Sequence, residues 1–286
     1  MPIIFGRQHT ITTDDVFRVE KWSKDVTHWR ENSLVMGKWV KRFDVGPGTQ
    51  LIRIPNLTRP PAPGTITANG DVTDTTPDTE GEVVLNLDQR VGYIVNLPDD
   101  LMLQTTYNLE SEHKESYGKR IGESVEANLL GLQDGFTENA AVGSSAADIS
   151  IPVILKAWTA LRRANAPLTD NHLVVESGQY EALLDTDKVT QYNSVAYPVA
   201  QSPIVNGEIG QIFGFRCAAS NLVEVAAEGG YGNLAFQREA IAFGVLRDVK
   251  TEMLARVHFA DRIGISMFYG FVELRGNHGV RVLSRA

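Results

Sequence analysis

Residues 55–81 have the sequence PNLTRPPAPGTITANGDVTDTTPDTEG, which contains five prolines and only three larger apolar residues. Proline fixes φ and removes a backbone donor, so this stretch is unsuited to the centre of a sheet. Short apolar runs flank it, LIRI at 51–54 and EVVLNL at 82–87, and both are typical of strands. A structureless segment of this length is uncommon inside a compact domain. We therefore predict that residues 46–90 form an extended two-stranded loop, which projects from the body and gains order by lying on another surface.

A long helix is predicted over residues 108–134, with Asn108 as its cap and acidic residues in its first turns. Apolar residues recur at about every fourth position, namely Leu109, Tyr117, Ile121, Val125 and Leu129. This spacing gives a narrow apolar stripe that winds slowly around the helix. Gly118 and Gly122 lie beside the stripe and lower helix propensity, so we expect another segment to approach closely there. We interpret the helix as a strut about 40 Å long, and not as a buried core helix, that ends near Gly135.

Residues 1–45 form a predicted N-terminal arm that is rich in large aromatic residues. Three of the four tryptophans lie in it, at positions 22, 29 and 39, and their spacing fits neither one long helix nor a regular strand. Asp14 and Asp15 are suited to opening a short helix through about Trp22. Aromatic side chains of this size normally need a partner surface. We therefore expect the arm to fold back on the body or to lie on a neighbour.

The sequence after residue 145 has the alternating texture of a compact α/β domain. Ser150 is the predicted cap of a helix to about Asn165, with an inner face of Val153, Ala157, Leu161 and Ala164. A buried strand, HLVVE at 172–176, follows, and Ser177 is the predicted cap of the next helix. Residues 186–206 are predicted to be a loop.

The remaining chain is predicted to be mostly strand. Strand patterns occur in IGQIFGFRCAAS at 209–220, in GNLAF at 232–236 and in VRVLS at 280–284. Two longer strand patterns, TEMLARVHF and RIGISMFYGFVELRG, suggest a hairpin that turns at Ala260–Asp261.

Charge is distributed unevenly along the chain, whose formal net charge is -8. Residues 1–60 have a net charge of +4, whereas residues 61–115 have a net charge of -9. An acidic protein is a poor general binder of nucleic acid, which requires cationic groups to replace counterions. The polarity along the chain instead favours contact between unlike surfaces, within the fold or between copies. No apolar run reaches the ~20 residues that span a bilayer, and the N-terminus lacks the features of a signal peptide, so we expect a soluble protein made in a cytoplasm.

Motifs of enzymatic chemistry are absent from the sequence. It contains no phosphate-binding loop, no dinucleotide fingerprint and no nucleophile elbow, and its six histidines do not occur at metal-ligand spacing. The single cysteine, Cys217, lies in an apolar stretch and is expected to be a buried structural thiol. We therefore predict no catalytic, cofactor-binding or metal-binding residues, and a protein that is not an enzyme.

The order of these parts resembles the Hong Kong 97-like fold of tailed-bacteriophage major capsid proteins. The segment NLAFQREAIAFGV at 233–245 is similar to one that many of these coat proteins share, and FYGFVELRGNHGVRVLS at 268–284 is similar to their closing segment. The resemblance implies an α+β fold with an N-arm at 1–45 and an E-loop at 46–90. It further implies a peripheral domain with the spine helix at 91–145, an axial domain at 146–245, and returning C-terminal strands at 246–286.

The same resemblance implies a function in the virion. Subunits would form hexamers and pentamers in an icosahedral head that encloses double-stranded DNA without sequence-specific binding. Implied partners are a portal protein and a separate scaffolding protein, with a decoration (cement) protein as a further candidate, and synthesis is expected in the bacterial host cytoplasm. Intersubunit contacts are predicted for the loop residues Arg53, Arg59, Asp71, Asp74, Asp78 and Glu80 and for the arm residues Trp22 and Trp29.

Three other classes of protein remain open at this point. An encapsulin-like nanocompartment shell shares the fold, although the long proline-rich loop and the lack of an encapsulin-type N-terminal helix argue against it. A soluble α/β enzyme would leave residues 46–90 unexplained. A phage tail or adaptor component would form rings or tubes in place of closed shells.

Overall fold

The computed structural model describes residues 34–46, 48–57, 80–104, 109–185 and 210–286. Its helices are α1 Met36–Trp39, α2 Asp99–Gln104, α3 Leu109–Gly131, α4 Ile151–Arg163 and α5 Ser177–Leu184. Its strands are β1 Lys41–Asp44, β2 Leu51–Leu57, β3 Glu80–Asn86, β4 Gln89–Pro98, β5 Val142–Gly143, β6 Asn171–Val175, β7 Gln211–Ile212, β8 Phe215–Ala219, β9 Tyr231–Gln237, β10 Ile241–Val257, β11 Ala260–Glu273 and β12 Gly279–Ser284. In the described ranges, no helix is long and apolar enough to cross a bilayer.

A four-stranded sheet in the order β1-β10-β11-β4 forms one half of the body. Alternate residues of β11, from Ile263 to Tyr269, are buried on the face that α3 covers, together with Phe243 and Val245 of β10. The β10–β11 hairpin was predicted, but its turn is at His258–Phe259 and not at Ala260–Asp261, because Val257 pairs with Ala260. His258 adopts a φ of 56°, which closes this two-residue turn.

A six-stranded sheet in the order β5-β12-β9-β6-β8-β7 forms the other half. Helix α4 packs Ile154, Ala157 and Leu161 against it in a second apolar core. The predicted inner face included Val153, which is partly buried against this core, but it missed Ile154, which is fully buried. The predicted cap of α5 was also wrong, since the carboxylate of Glu176 accepts the N–H groups of residues 178 and 179.

Asn233 joins three strands of this sheet and begins the segment 233–245 singled out in the sequence. Its side chain is fully buried, accepts the backbone N–H of Glu176 at 2.8 Å, and donates to Val282 O and Ser284 Oγ. A buried amide is stable only when its polar atoms are paired. Asn233 therefore has a structural role at the junction of β6, β9 and β12.

The long helix was predicted correctly in position and begins at residue 109. Ile121, Val125 and Leu129 of the predicted stripe are buried, so the C-terminal half is a core element and the prediction of a strut is wrong for that half. A Cβ on Gly122 would lie 2.7 Å from Cδ1 of Leu34, which confirms the close approach expected there. A 3-10 turn at Leu132–Gly135 ends the helix.

The predicted loop strands are present as the antiparallel β2–β3 ribbon. Leu85 and Leu87 at its base are buried against the end of the four-stranded sheet that lies away from the β10–β11 turn, in a small core with Ala242 and Leu274. The predicted helix near residues 14–22 and the loop at 186–206 lie outside the described residues. The division of the chain at residues 45, 90, 145 and 245 stays a prediction.

Candidate intersubunit surfaces

The β2–β3 ribbon includes the loop residues predicted to make intersubunit contacts. Arg53 Nη1 lies 2.5 Å from Glu82 Oε1 across the ribbon, and both side chains are at least half exposed. An exposed pair of this kind contributes little to stability, so the ribbon surface remains available for other contacts. Arg59, Asp71, Asp74, Asp78, Trp22 and Trp29 lie outside the described residues, and Glu80 is described only as a backbone position of β3. The contact assignments therefore stay predictions.

The face of the four-stranded sheet opposite α3 is covered by the ribbon at one end only. Beyond the ribbon, the alternation of β11 directs Arg262, Gly264, Ser266 and Phe268 to this face. These residues pair with positions 90–96 of β4 and 247–254 of β10. A shallow groove of about 330 Å³ runs over the small residues at the centre. We call this area the open sheet face.

Two arginines stack on a phenyl ring at the ribbon end of the open sheet face. The guanidinium carbon of Arg247 lies 4.3 Å from the ring centroid of Phe268, and that of Arg90 lies 5.5 Å from it. Arg247 also donates to Ser266 Oγ, but its buried Nε has no hydrogen-bond partner. Arg90 is exposed and forms no ion pair with any described residue. Glu252 lines the same groove and pairs with both Lys250 and Arg247. The cations outnumber this acid, so the open sheet face combines an excess of positive charge with apolar area, which suits an acidic partner.

Large apolar side chains are exposed at the β10–β11 turn and on α2. Phe259 is 83% exposed and Leu103 is 86% exposed, and Met253 and Ile94 are also mostly exposed. Close by, Arg256 pairs with both Asp99 and Asp261, which fixes the turn against the end of β4. Exposed apolar area of this kind is typical of a protein interaction site.

The base of the N-terminal arm is anchored to both halves of the body. Met36 and Val40 of this segment are buried in the main core, and Trp39 stacks on His172 of β6 with ring centroids 4.5 Å apart. The prediction that Trp39 needs a partner surface is confirmed, since this partner is His172 in the chain's own six-stranded sheet. Residues 1–33, which precede the anchor, lie outside the described residues.

His172 and Cys217 have structural surroundings. Burial lowers the pKa of His172 to about 4, with Arg216 acting in the same direction, so the ring is neutral near pH 7. Burial likewise raises the pKa of the Cys217 thiol to about 12, which leaves it unreactive and agrees with the predicted structural role. Within the described ranges, no three histidine, cysteine, aspartate or glutamate side chains are grouped so as to hold a metal ion.

Sequence reasoning missed the open sheet face. Its signal is the period-two pattern of RIGISMF at 262–268, in which large apolar residues alternate with arginine, glycine and serine. That pattern predicts one buried and one uncovered face. The stacking partners Arg90 and Arg247 come from distant positions, so only the strand register brings them to Phe268.

A sequence model described as "Phage capsid protein" matches residues 109–282 of the chain. The matched region begins at the first residue of α3 and ends in β12, so it includes the main helix and most of both large sheets. No curated protein sequence matches the chain.

Solved phage structures are similar to the chain over nearly its whole length. A chain from Mycobacterium phage Che8 has a TM-score of 0.75 at 19% identity and covers 93% of this chain and 97% of its own. The capsid structure of the Cyanophage P-SCSP1u has a TM-score of 0.77 at 14% identity, with 96% and 95% covered. The mature capsid of bacteriophage PhiM1 has a TM-score of 0.71 at 13% identity, with 97% and 99% covered. At these identities the similarity establishes the fold.

Proposed function

Because the chain belongs to the phage capsid protein family and has the Hong Kong 97-like fold of tailed-phage major capsid proteins, we propose that it assembles as hexamers and pentamers into an icosahedral head that encloses double-stranded DNA. A capsid protein is a structural component of the virion and works through contacts between its own copies.

The observation that carries the proposal is a pair of unlike surfaces on one chain. Between Arg59 and Arg90 the sequence contains six acidic residues and no lysine or arginine. The open sheet face has a cationic excess: Arg90 and Arg247 stack on Phe268, while Lys250 and Arg247 share one acid, Glu252. Opposite charges across an interface steer association and fix its register.

We place the acidic loop on a neighbouring copy for a geometric reason. Asn56 and Val83, near the distal end of the ribbon, line a groove with Asn165 and Pro167 of the six-stranded half. The open sheet face lies at the opposite end of the four-stranded sheet, toward the β10–β11 turn. A second copy can present its acidic loop to this face without reversing the direction of the ribbon.

The predicted contact residues have distinct roles in this arrangement. Asp71, Asp74, Asp78 and Glu80 would meet the cations of the neighbour, while Arg53 and Arg59 would pair along the ribbon flank, and Trp22 and Trp29 would pack the arm onto an adjacent copy. Each exposed pair is weak, so errors made early in assembly can dissociate. Repetition over many copies then stabilises the closed shell.

Further parts of the proposal rest on the family. A portal protein and a separate scaffolding protein would direct assembly, a decoration protein is a candidate partner of the outer surface, and synthesis would occur in the bacterial host cytoplasm. The net charge of -8 supports enclosure of DNA without a specific grip on it. We propose a structural role without catalysis.

Electron microscopy of the purified recombinant protein, alongside size-exclusion chromatography, tests the proposed function. Closed shells, capsomers or tubes are the expected result, and shell diameter would give the size class. A homogeneous monomer or dimer that persists when a candidate scaffolding protein is added would contradict shell formation. Two findings would favour the encapsulin-like alternative. One is a co-expressed cargo protein inside the shells, and the other is a cargo gene beside this gene in place of terminase and portal genes.

A further inference from the structure

A groove of about 630 Å³ lies where the ribbon, the turn after α4 and the 3-10 turn before β12 meet. Glu138 and Glu273 both line it, and their side chains converge on Gly276. A Cβ on Gly276 would lie 2.8 Å from Oε1 of Glu138 and closer still to Oε1 of Glu273. The two carboxylate oxygens are therefore within about 5 Å of each other, a separation at which like charges repel.

Neither carboxylate has a cationic partner among the described residues. Burial raises the pKa of Glu273, and the negative charge of Glu138 raises it further, which is the expected effect of an uncompensated pair. Arg275 also lines the groove, but its guanidinium forms no ion pair with either carboxylate. Glu239, a third acid in the groove, already lies 3.6 Å from Lys41 Nζ.

A second and independent feature of the groove is an unpartnered imidazole nitrogen. His278 lines the same groove and is only 5% exposed, yet its buried Nδ1 has no hydrogen-bond partner. Buried polar atoms of folded proteins are nearly always paired, so an unpaired one at a groove wall indicates a missing group. The groove thus presents two uncompensated carboxylates, and an unpaired ring nitrogen is buried in its wall.

We propose that this groove receives an arginine side chain of a second copy, whose guanidinium bridges Glu138 and Glu273 beside His278. The proposal rests on the proposed function, because only assembly brings a second copy to this surface. A guanidinium has five N–H donors in a rigid planar fork, which matches paired carboxylates better than the point charge of lysine. A divalent cation would need further oxygen ligands, and the described residues offer no group of three acidic, histidine or cysteine ligands.

The chain carries suitable donors on its own surface. Arg216 and Arg238 are exposed and form no ion pair with any described residue. A second copy of this chain therefore supplies the required chemistry without a further protein. In the assembled shell, the bridge would convert a repulsive pair into an attractive contact.

The double variant Glu138→Gln/Glu273→Gln tests the proposal because its expected effects on the isolated subunit and on shell assembly differ. In the isolated subunit the change removes repulsion, so the thermal midpoint should stay the same or rise. In the shell it removes the acceptors of the bridge, so the subunit concentration required for assembly should rise about tenfold or more. Glu181→Gln, on the exposed side of α5, is the matched control and should change neither quantity.

Electron cryomicroscopy of wild-type shells provides the direct measurement. Density for an arginine of a neighbouring copy between Glu138 and Glu273 is the expected result. An empty groove, a bound metal ion, or an equal loss of assembly in an Arg275→Gln variant would overturn the inference while leaving the proposed function intact. A failure of the wild-type protein to form shells would instead count against the proposed function.

Discussion

The carboxylate of Glu126 on α3 accepts hydrogen bonds from the backbone N–H of Met36, at 3.1 Å to Oε1 and 3.0 Å to Oε2. The N–H of Val35 donates to the same group at 2.8 Å. Glu126 is only 2% exposed, and burial raises its pKa against the opposing effect of these hydrogen bonds. The carboxylate thus caps the first turn of α1 from a distance of ninety residues along the chain. The base of the arm is fixed to the main helix by this contact.

Glu126→Ala should destabilise the isolated subunit by about 1–3 kcal/mol, because it leaves buried backbone N–H groups without an acceptor. Urea unfolding followed by circular dichroism measures this change. Glu115→Ala on the exposed part of the same helix removes a surface ion pair with Lys119 and should cost a few tenths of a kcal/mol. Equal effects of the two substitutions would contradict the capping role.

The free energy of unfolding should decrease as the pH is lowered, because of His172. Its folded-state pKa of about 4 lies below the ordinary value of 6.5, so the folded state binds its proton less readily than the unfolded state. The contribution is fully present above pH 6.5 and is lost as the pH falls through the folded pKa. A depression of this size corresponds to about 3 kcal/mol between those limits.

His172→Phe should remove this part of the pH dependence while keeping a ring to stack on Trp39. Urea unfolding at pH 7 and at pH 4.5 provides the comparison. His258→Asn is the control, since residue 258 is exposed and asparagine tolerates its φ of 56°. A variant at position 172 that retains the full acid sensitivity would show that other groups cause it.

Gly270→Ala should separate the ribbon from the sheet. A Cβ at residue 270 would overlap the backbone carbonyl of Asn86, which the ribbon cannot move without losing the burial of Leu85 and Leu87. The expected cost is about 1–3 kcal/mol, together with faster hydrogen exchange in β2 and β3.

Gly264→Ala is the matched control on the same strand. There a Cβ would lie 3.0 Å from Cδ1 of Leu254, an exposed and flexible side chain that can move aside. The control should leave both stability and exchange nearly unchanged. Comparable losses in the two variants would mean that β11 is generally intolerant of alanine and that the ribbon contact is not the cause.

Neutralising Asp71, Asp74, Asp78 and Glu80 together, as Asn and Gln, should weaken assembly and shell stability without unfolding the subunit. The reason is the loss of charge complementarity with the open sheet face. Light scattering during assembly and thermal disruption of shells measure the effect. The charge-reversal variant Arg90→Glu/Arg247→Glu should give a similar loss from the other side of the contact. Unchanged assembly in the four-acid variant would contradict the proposed role of these residues.

The elements that depend on local sequence were predictable. Regular spacing of apolar residues located α3, and the contrast between proline-rich and strand-forming segments located β2 and β3. Glycine at residue 122 indicated a close approach, and Leu34 provides it. Short-range spacing and backbone chemistry are properties of a segment alone, so they predict its local structure independently of its tertiary contacts.

Contacts between distant segments were not predictable in the same way. One local detail was missed as well: the cap on α5 is Glu176 and not Ser177, since the glutamate carboxylate accepts the free N–H groups two and three residues further on. The inner face of α4 depends on the rotation of that helix against β12, which its own sequence does not specify.

The sequence by itself determined the long helix and the two ribbon strands, and through its family segments the kind of protein this is. Only the tertiary structure decided which surfaces remain uncovered. Arg90 meets Phe268 through strand register, and Glu138 meets Glu273 through the fold of the 3-10 turns. The physical reason is that charge and burial act through space, so their partners are set by packing and not by position along the chain.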